Sequence, residues 1–501
     1  MDELAGIDLG DKRLNQRSQQ VLEALHVDPG GSVNAAFDKW ADTLAAYRLF
    51  DNNAVTSEAI LKPHYDATLA RGNEHAVVLV LQDTTELDFT KHPPKDAGCL
   101  NKPDRFGFYD HTHLAVTPAG VPLGVVGTKV FDRTPESLGR TLERRALPVE
   151  EKESFRWLEG YRLTARVSQQ CPQTQIVNVA DREADMYDIF LEAQGGADVS
   201  GAADVHRDAD VPGGVRVRQE TRTTTADTPR QTDFVIRAKE DRCSTERVPP
   251  SEHGTRYAVY RKARDQVRDS PLRDQETIML PRTPKRAARQ AVVEIRAKSI
   301  TLKHPKNRPG LASVTCNLVH VVEIDGPTDG TAPTDEPGIE WWLITSLPVE
   351  SLEDISRVID YYKARRTIEV YFRVLKTGCR VEEMQLETTA RAKACLAFYQ
   401  IIAWRVLSLT HLNRECPSLP CTAVFADHEW QPAWRVTTKQ ELPVKVPKLS
   451  EFIRLLASRG GYNNRRTEAP PGPQPIWVGI RRMSDFAQAW QSFGPTTTTY
   501  A

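Results

Sequence analysis

The sequence predicts an α/β core that is interrupted by a β-rich insertion and flanked by helical segments at both ends. Three observations predict it. Apolar residues recur at helical spacing up to about residue 70, β-branched runs alternate with a helical stretch from about 76 to 181, and helical periodicity returns from Leu352 onward.

Taken in order, Leu14, Val21, Leu22 and Leu25 fall near one helical face, and VNAAFDKWADTLAAYRLF carries a second stripe beyond the DPGG turn at 28–31. The period then changes. AVVLVLQD (76–83) is a β-branched run that ends in a carboxylate, and 113–131 reads as two strands joined by the Pro-Ala-Gly turn at 118–120. Residues 150–167 are helical, and TQIVNVAD (174–181) is another strand ending in Asp. Strand, strand, strand, helix, strand is the order that opens a ribonuclease-H-like α/β domain. In that fold the first and fourth strands lie side by side, so carboxylates at their ends can meet.

Residues 194–232 have no clear period, and 233–346 hold β-rich segments with a loop at 325–338. A long helix is expected from about Leu352 to Thr377, a second with a broad apolar face at 388–413, and a last one holding Asp485, Phe486 and Trp490. The expected domains are therefore a helical one at 1–70, a ribonuclease-H-like one at 71–385 with its β-rich insertion at about 194–346, and a helical one at 386–501.

Composition excludes some classes. No run of about 18 apolar residues offers a membrane span, and the N-terminus is too charged for a signal peptide. The eight cysteines are scattered without a zinc-site or disulfide pattern, which fits reduced thiols in a cytoplasmic protein. A net charge of −1 does not advertise a nucleic-acid binder, but local patches decide that question. One runs from Arg282, Lys285 and Arg286 to Arg308, and another from Arg357 to Lys376.

Candidate chemistry gathers in three places. Asp83 and Asp181 each follow an apolar strand, and strand ends are rigid platforms open to solvent. Either one alone is better explained as a cap of the next turn, although Glu183 and Asp185 follow Asp181 closely. The third place is Y-x2-R-x3-E-x6-K: Tyr362, Arg365, Glu369 and Lys376 fall at offsets 3, 7 and 14, on one helical face. As a surface stripe this is a weak ion-pair ladder. As an active-site face, Glu369 completes a three-carboxylate metal site, Arg365 and Lys376 hold phosphates, and Tyr362 donates a hydrogen bond to one.

These segments resemble the insertion-sequence-four family of bacterial DDE transposases, in the pattern of its Tn-five branch. The resemblance rests on LGDKRL, AAYRLFDN (45–52), QDTTELDF (82–89), VADREADMYD (179–188), EWWLITSLPV (340–349) and, most strongly, YYKARRTIEVYFRVLKTGCRVEE (361–383). It implies that Asp83, Asp181 and Glu369 form the catalytic triad and bind two Mg²⁺ or Mn²⁺ ions. On sequence alone Trp342 in its strand reads as core packing; the resemblance instead implies that it stacks a flipped base during hairpin formation and that Arg17 lies in the end-binding segment, where Lys12 and Arg13 are further candidate DNA contacts or solvated surface charges. The expected activity is cut-and-paste transposition: cleavage at transposon ends, a hairpin intermediate, then strand transfer into target DNA. The expected partners are double-stranded DNA and a second copy of the chain, with the N-terminal domain binding ends and the C-terminal one dimerising. The apolar face at 390–410 is read either as that dimer surface or as monomer core. A nuclease without strand transfer, or a transposase-derived DNA-binding regulator, are the alternative readings.

Overall fold

The structure, a computed structural model, describes residues 3–27, 29–139, 147–195, 232–249, 258–280, 288–324, 338–465 and 468–493. The chain forms two compact units, one of residues 1–163, 173–181 and 359–501, the other of 164–172 and 182–358. The helical ends and the first strands thus share one unit, and the β-rich insertion falls in the other. The irregular stretches expected at 194–232 and 325–338 lie, apart from their ends, outside the described residues, as do Arg282, Lys285 and Arg286.

In the first unit, helices α1 (Lys12–Val27), α2 (Trp40–Phe50) and α3 (Ser57–Asn73) precede a sheet of β1 (Val77–Asp88), β2 (Gly107–Val116), β3 (Pro122–Phe131) and β4 (Gln175–Ala180); α4 (Phe155–Gln170), of which residues 155–163 belong to this unit, lies between β3 and β4 in the chain. The order is β3-β2-β1-β4. β2 is antiparallel to both of its neighbours, and β1 is parallel to β4. A parallel neighbour needs a crossover connection, which the segment containing α4 supplies.

All ten residues of β2 are buried, including Asp110, His111, Thr112 and His113. Asp110 is satisfied there by the hydroxyls of Thr128 at 2.6 Å and Thr112 at 3.1 Å and by the Gln400 amide at 2.8 Å. Burial of a carboxylate is tolerable only with such partners. Gln400 lies on α9 (Thr389–Glu415), one of three helices introduced here with α7 (Leu352–Ala364) and α8 (Arg366–Arg373). α9 is long and apolar enough to cross a membrane, yet 83% of its apolar window is buried inside the fold. Trp404 on α9 donates to the carbonyl of Pro122 at 3.1 Å and lies 4.4 Å beneath the Arg71 guanidinium. The apolar face at 390–410 is therefore monomer core, and the dimer-surface reading of it is corrected.

The N-terminal segment is clasped to α3. Glu3 accepts from His64 Nδ1 at 2.6 Å and from Arg71 at 2.9 Å, and His64 Nε2 takes the N–H of Val125 at 3.0 Å. The unit closes with α10 (Asp427–Thr438), α11 (Leu449–Arg459) and α12 (Pro473–Phe493), which pack on one another.

In the second unit α5 (Tyr187–Ala193) leads to β5 (Asp233–Arg237), β6 (Cys243–Val248), β7 (Val259–Lys262), a short α6 (Ala263–Arg268), β8 (Asp274–Leu280), β9 (Arg289–Leu302), β10 (Val314–Glu323) and β11 (Glu340–Thr345). The order β5-β11-β10-β9 is antiparallel, and β6 and β8 pair with the far edge of β9. β9 alternates buried and outward residues: Ala291, Val293, Ile295 and Ala297 face inward, as one buried face requires. All eight cysteines are free thiols.

Two expectations about individual elements are corrected. β1 does not end at Asp83 but continues to Asp88, because β2 pairs with it along that length, from Leu79–Val116 to Asp88–Gly107. The single helix expected over 352–377 is broken: α7 stops at Ala364, α8 resumes at Arg366, and a π-turn occupies Val374–Gly378.

Candidate active site

Parallel pairing of β1 and β4 sets Val77 opposite Gln175 and Leu81 opposite Val179. Carried two residues further, the same register sets Asp83 opposite Asp181, the residue that follows the last of β4. The parallel pairing stops at Leu81, so both carboxylates lie where the ladder has opened. Glu369 is supplied by α8, which packs on β1.

Arg365 draws these acids together. Its Nη2 donates to Asp83 Oδ2 at 2.8 Å and lies 3.8 Å from Asp181 Oδ2, while its Nη1 donates to Glu369 Oε1 at 2.7 Å. One guanidinium thus faces acids from β1, the end of β4 and α8. The backbone explains its position. Arg365 N–H bonds to the carbonyl of Tyr362, and Ile368 N–H to that of Arg365, both at 3.1 Å, so the chain tightens into three-residue turns between α7 and α8.

The acids differ in exposure. The Asp83 side chain is 16% exposed and that of Glu369 53%. Burial pushes the Asp83 carboxyl up to about 6, aided by the Asp181 and Glu369 charges and opposed by Arg365 and the Thr84 N–H. Burial disfavours the Arg365 charge, but the acids around it more than offset this and hold the guanidinium protonated. Among the described residues no group of three or more acid, His or Cys side chains is spaced to hold a metal ion. Here the Arg365 fork stands between the carboxylates.

The other expected residues divide. Tyr362 is buried beside Arg365 and acts on its charge. Lys376 sits in the π-turn, where its ammonium donates to the carbonyl of Glu86 at 2.7 Å and pairs with Glu382 at 3.0 Å. It therefore engages β1 beyond Asp83 and makes no ion pair with the acids that Arg365 gathers. Glu382, which also accepts the Asp88 N–H at 2.9 Å, was not legible in advance, since nothing in its spacing points to β1. Lys12 and Arg13 are exposed on α1, and Arg17 pairs with Asp42 at 3.1 Å.

In the second unit Trp342 is 4% exposed. Its ring stacks on His320 at 3.8 Å, two guanidiniums (Arg264 and Arg268) lie over it at 5.2 Å, and its N–H donates to Glu340 at 3.0 Å. Trp341 is half-buried. Asp185, one of the acids after Asp181, is committed to structure: its buried carboxylate accepts the N–H groups of Lys239 and Glu240 at 2.7 Å and pairs with Arg242.

Comparison with known families bears on both ends of the chain. Residues 1–55, which carry α1 and α2, match the transposase DNA-binding model. Residues 401–494, from the second half of α9 through α12, match the transposase Tn5 dimerisation domain. With a DNA-binding module at one end and a dimerisation module at the other, the chain is a DNA transposase. The C-terminal match makes it similar to the Tn5-like transposases.

Proposed function

We propose that the chain performs cut-and-paste transposition with a ribonuclease-H-like core of the insertion-sequence-four type, in which Asp83, Asp181 and Glu369 are the catalytic acids. The observation that carries this reading is the convergence of these acids, from β1, the end of β4 and α8, on one cation, Arg365. The strand order β3-β2-β1-β4, with β1 parallel to β4, supports the fold assignment.

Three carboxylates are hard oxygen donors of the kind Mg²⁺ or Mn²⁺ prefers, and they already share one positive group. Asp83, Asp181 and Glu369 would hold two such ions. When bound, the ions activate the attacking oxygen and stabilise the leaving oxygen of an in-line displacement. Arg365 must withdraw from the acids for this, and a guanidinium fork matches a phosphate as well as a carboxylate. DNA phosphate therefore offers Arg365 an alternative partner as substrate arrives. Lys376, anchored beside β1, and Tyr362 complete the phosphate-binding face. Lys12, Arg13 and Arg17 on α1 contact the transposon ends. In the hairpin step Trp342 takes the extruded base, which requires His320 to part from its ring.

The test is a strand-transfer assay with labelled duplexes carrying the ends that bracket this reading frame, Mg²⁺ and a target plasmid. Cleaved ends joined to plasmid are expected. Cleavage without joining would reduce the chain to a nuclease, and binding without cleavage to a DNA-binding regulator.

A further inference from the structure

A groove of about 670 Å³ opens on the first unit beside α8, bordered by the β2–β3 turn at Pro118–Gly120, the end of α9 and the start of α12. Arg366, Arg373 and Arg414 stand exposed around it, and the half-buried Lys363 and His411 complete its basic lining. Asp360 is the acid of its lining, and it pairs with Lys363 at 3.0 Å. Among the described residues none of the three arginines has a carboxylate partner.

Position ties this groove to the acids. Arg366, Val370 and Arg373 stand at i, i+4 and i+7 on α8 and form one stripe, while Arg365 and Glu369 each precede a member of that stripe by one residue. One residue turns a helix by about 100°, so the basic groove and the acidic pocket occupy neighbouring faces of the same short segment.

The lining also limits the ligand. It holds no Asn or Gln to read a base edge by a paired amide contact, and no Phe, Tyr or Trp ring on which a base could stack. His411 adds no charge, because burial and the nearby Arg414 pull its imidazole down to about 4. What is left is an open trough with unneutralised guanidiniums, suited to phosphates spaced along a chain.

We propose that this groove binds the sugar-phosphate backbone of double-stranded DNA, independently of sequence, next to the site of strand cleavage. The proposal rests on the transposase reading and adds to it a second DNA track, apart from the N-terminal end-binding helices. The same chemistry would hold either target DNA or the transposon end, and the experiment separates these.

The full chain and the double variant Arg366→Gln/Arg414→Gln are compared for binding to an unrelated duplex over a range of KCl concentrations. Each lost phosphate contact flattens the log–log salt dependence by about 0.9, so the double variant should be shallower by about 2. Arg366→Lys/Arg414→Lys should restore the slope. An unchanged slope in a double variant that melts normally would overturn the proposal. If the double variant melts early, Arg414→Gln alone is read against a change of about 1. Loss of strand transfer with end cleavage retained assigns the groove to target DNA; parallel loss of both assigns it to the transposon end. A full chain that neither cleaves nor joins, but whose salt slope still depends on these arginines, would sink the transposition reading and leave the groove standing.

Discussion

Asp83 bears the electrostatic cost of the candidate site. Its folded-state pKa near 6 lies above the value of about 3.9 expected in the unfolded chain. Between those values the folded state holds the extra proton, so stability falls as pH rises from about 4 to about 6 and levels off above. Asp83→Asn removes that penalty. In metal-free buffer it should unfold at higher denaturant than the parent at pH 8, by up to about 3 kcal/mol less what Arg365 loses, with the difference vanishing near pH 4. Denaturation at the two pH values checks this, and an equal difference at both would contradict it. At this scale the sequence was informative about identity and blind to pairing. Asp83 and Asp181 could be singled out because each follows an apolar run, but their register match depends on strand pairing, which residue spacing does not encode. The Arg365–Glu369 contact was legible as an i,i+4 pair, whereas the reach of Arg365 to Asp83 spans most of the chain.

Elements were legible where their periodicity was strong. α1, β4 and the alternating β9 follow their apolar patterns, and the turn before β3 was marked by Pro118 and Gly120, whose φ of +82° suits glycine. Ends and breaks were not. The stretch 352–377 has helical periodicity throughout, so the turn at Arg365 and the π-turn holding Lys376 come from packing on β1 and Glu382. The run of acids after Asp181 weighed against a mere capping role for it, yet Asp185 organises the loop between β5 and β6. Asp185→Ala would strand two N–H groups and the Arg242 guanidinium. It should cost the second unit about 3–5 kcal/mol, seen as an early thermal transition and faster proteolysis of 182–358. A single unshifted transition would show that the contact is not structural.

Over the whole molecule, the residues expected as a β-rich insertion fall in the second unit, and the helical ends share the first with the core strands. The reason lies in α9: its apolar surface reads equally as core or as interface, and Trp404, Gln400 and Tyr399 commit it to β3 and α3, to β2, and to the turn between α1 and α2. Dimerisation must then use other surfaces of the matched 401–494 region. A chain with a DNA-binding and a dimerisation module should sediment as two copies with two end-bearing duplexes. A single copy on a single duplex at saturating DNA would contradict the expected pairing of two copies on DNA.

The most direct measurement is nicking of an end-labelled duplex carrying the flanking ends, in Mg²⁺ and in chelator, by the parent chain and by Asp83→Asn, Asp181→Asn and Glu369→Gln. A 3′-hydroxyl product is expected from the parent in Mg²⁺ alone, and none from any variant although each still binds the duplex. Full nicking by any one of the three, or nicking by the parent in chelator, would contradict it.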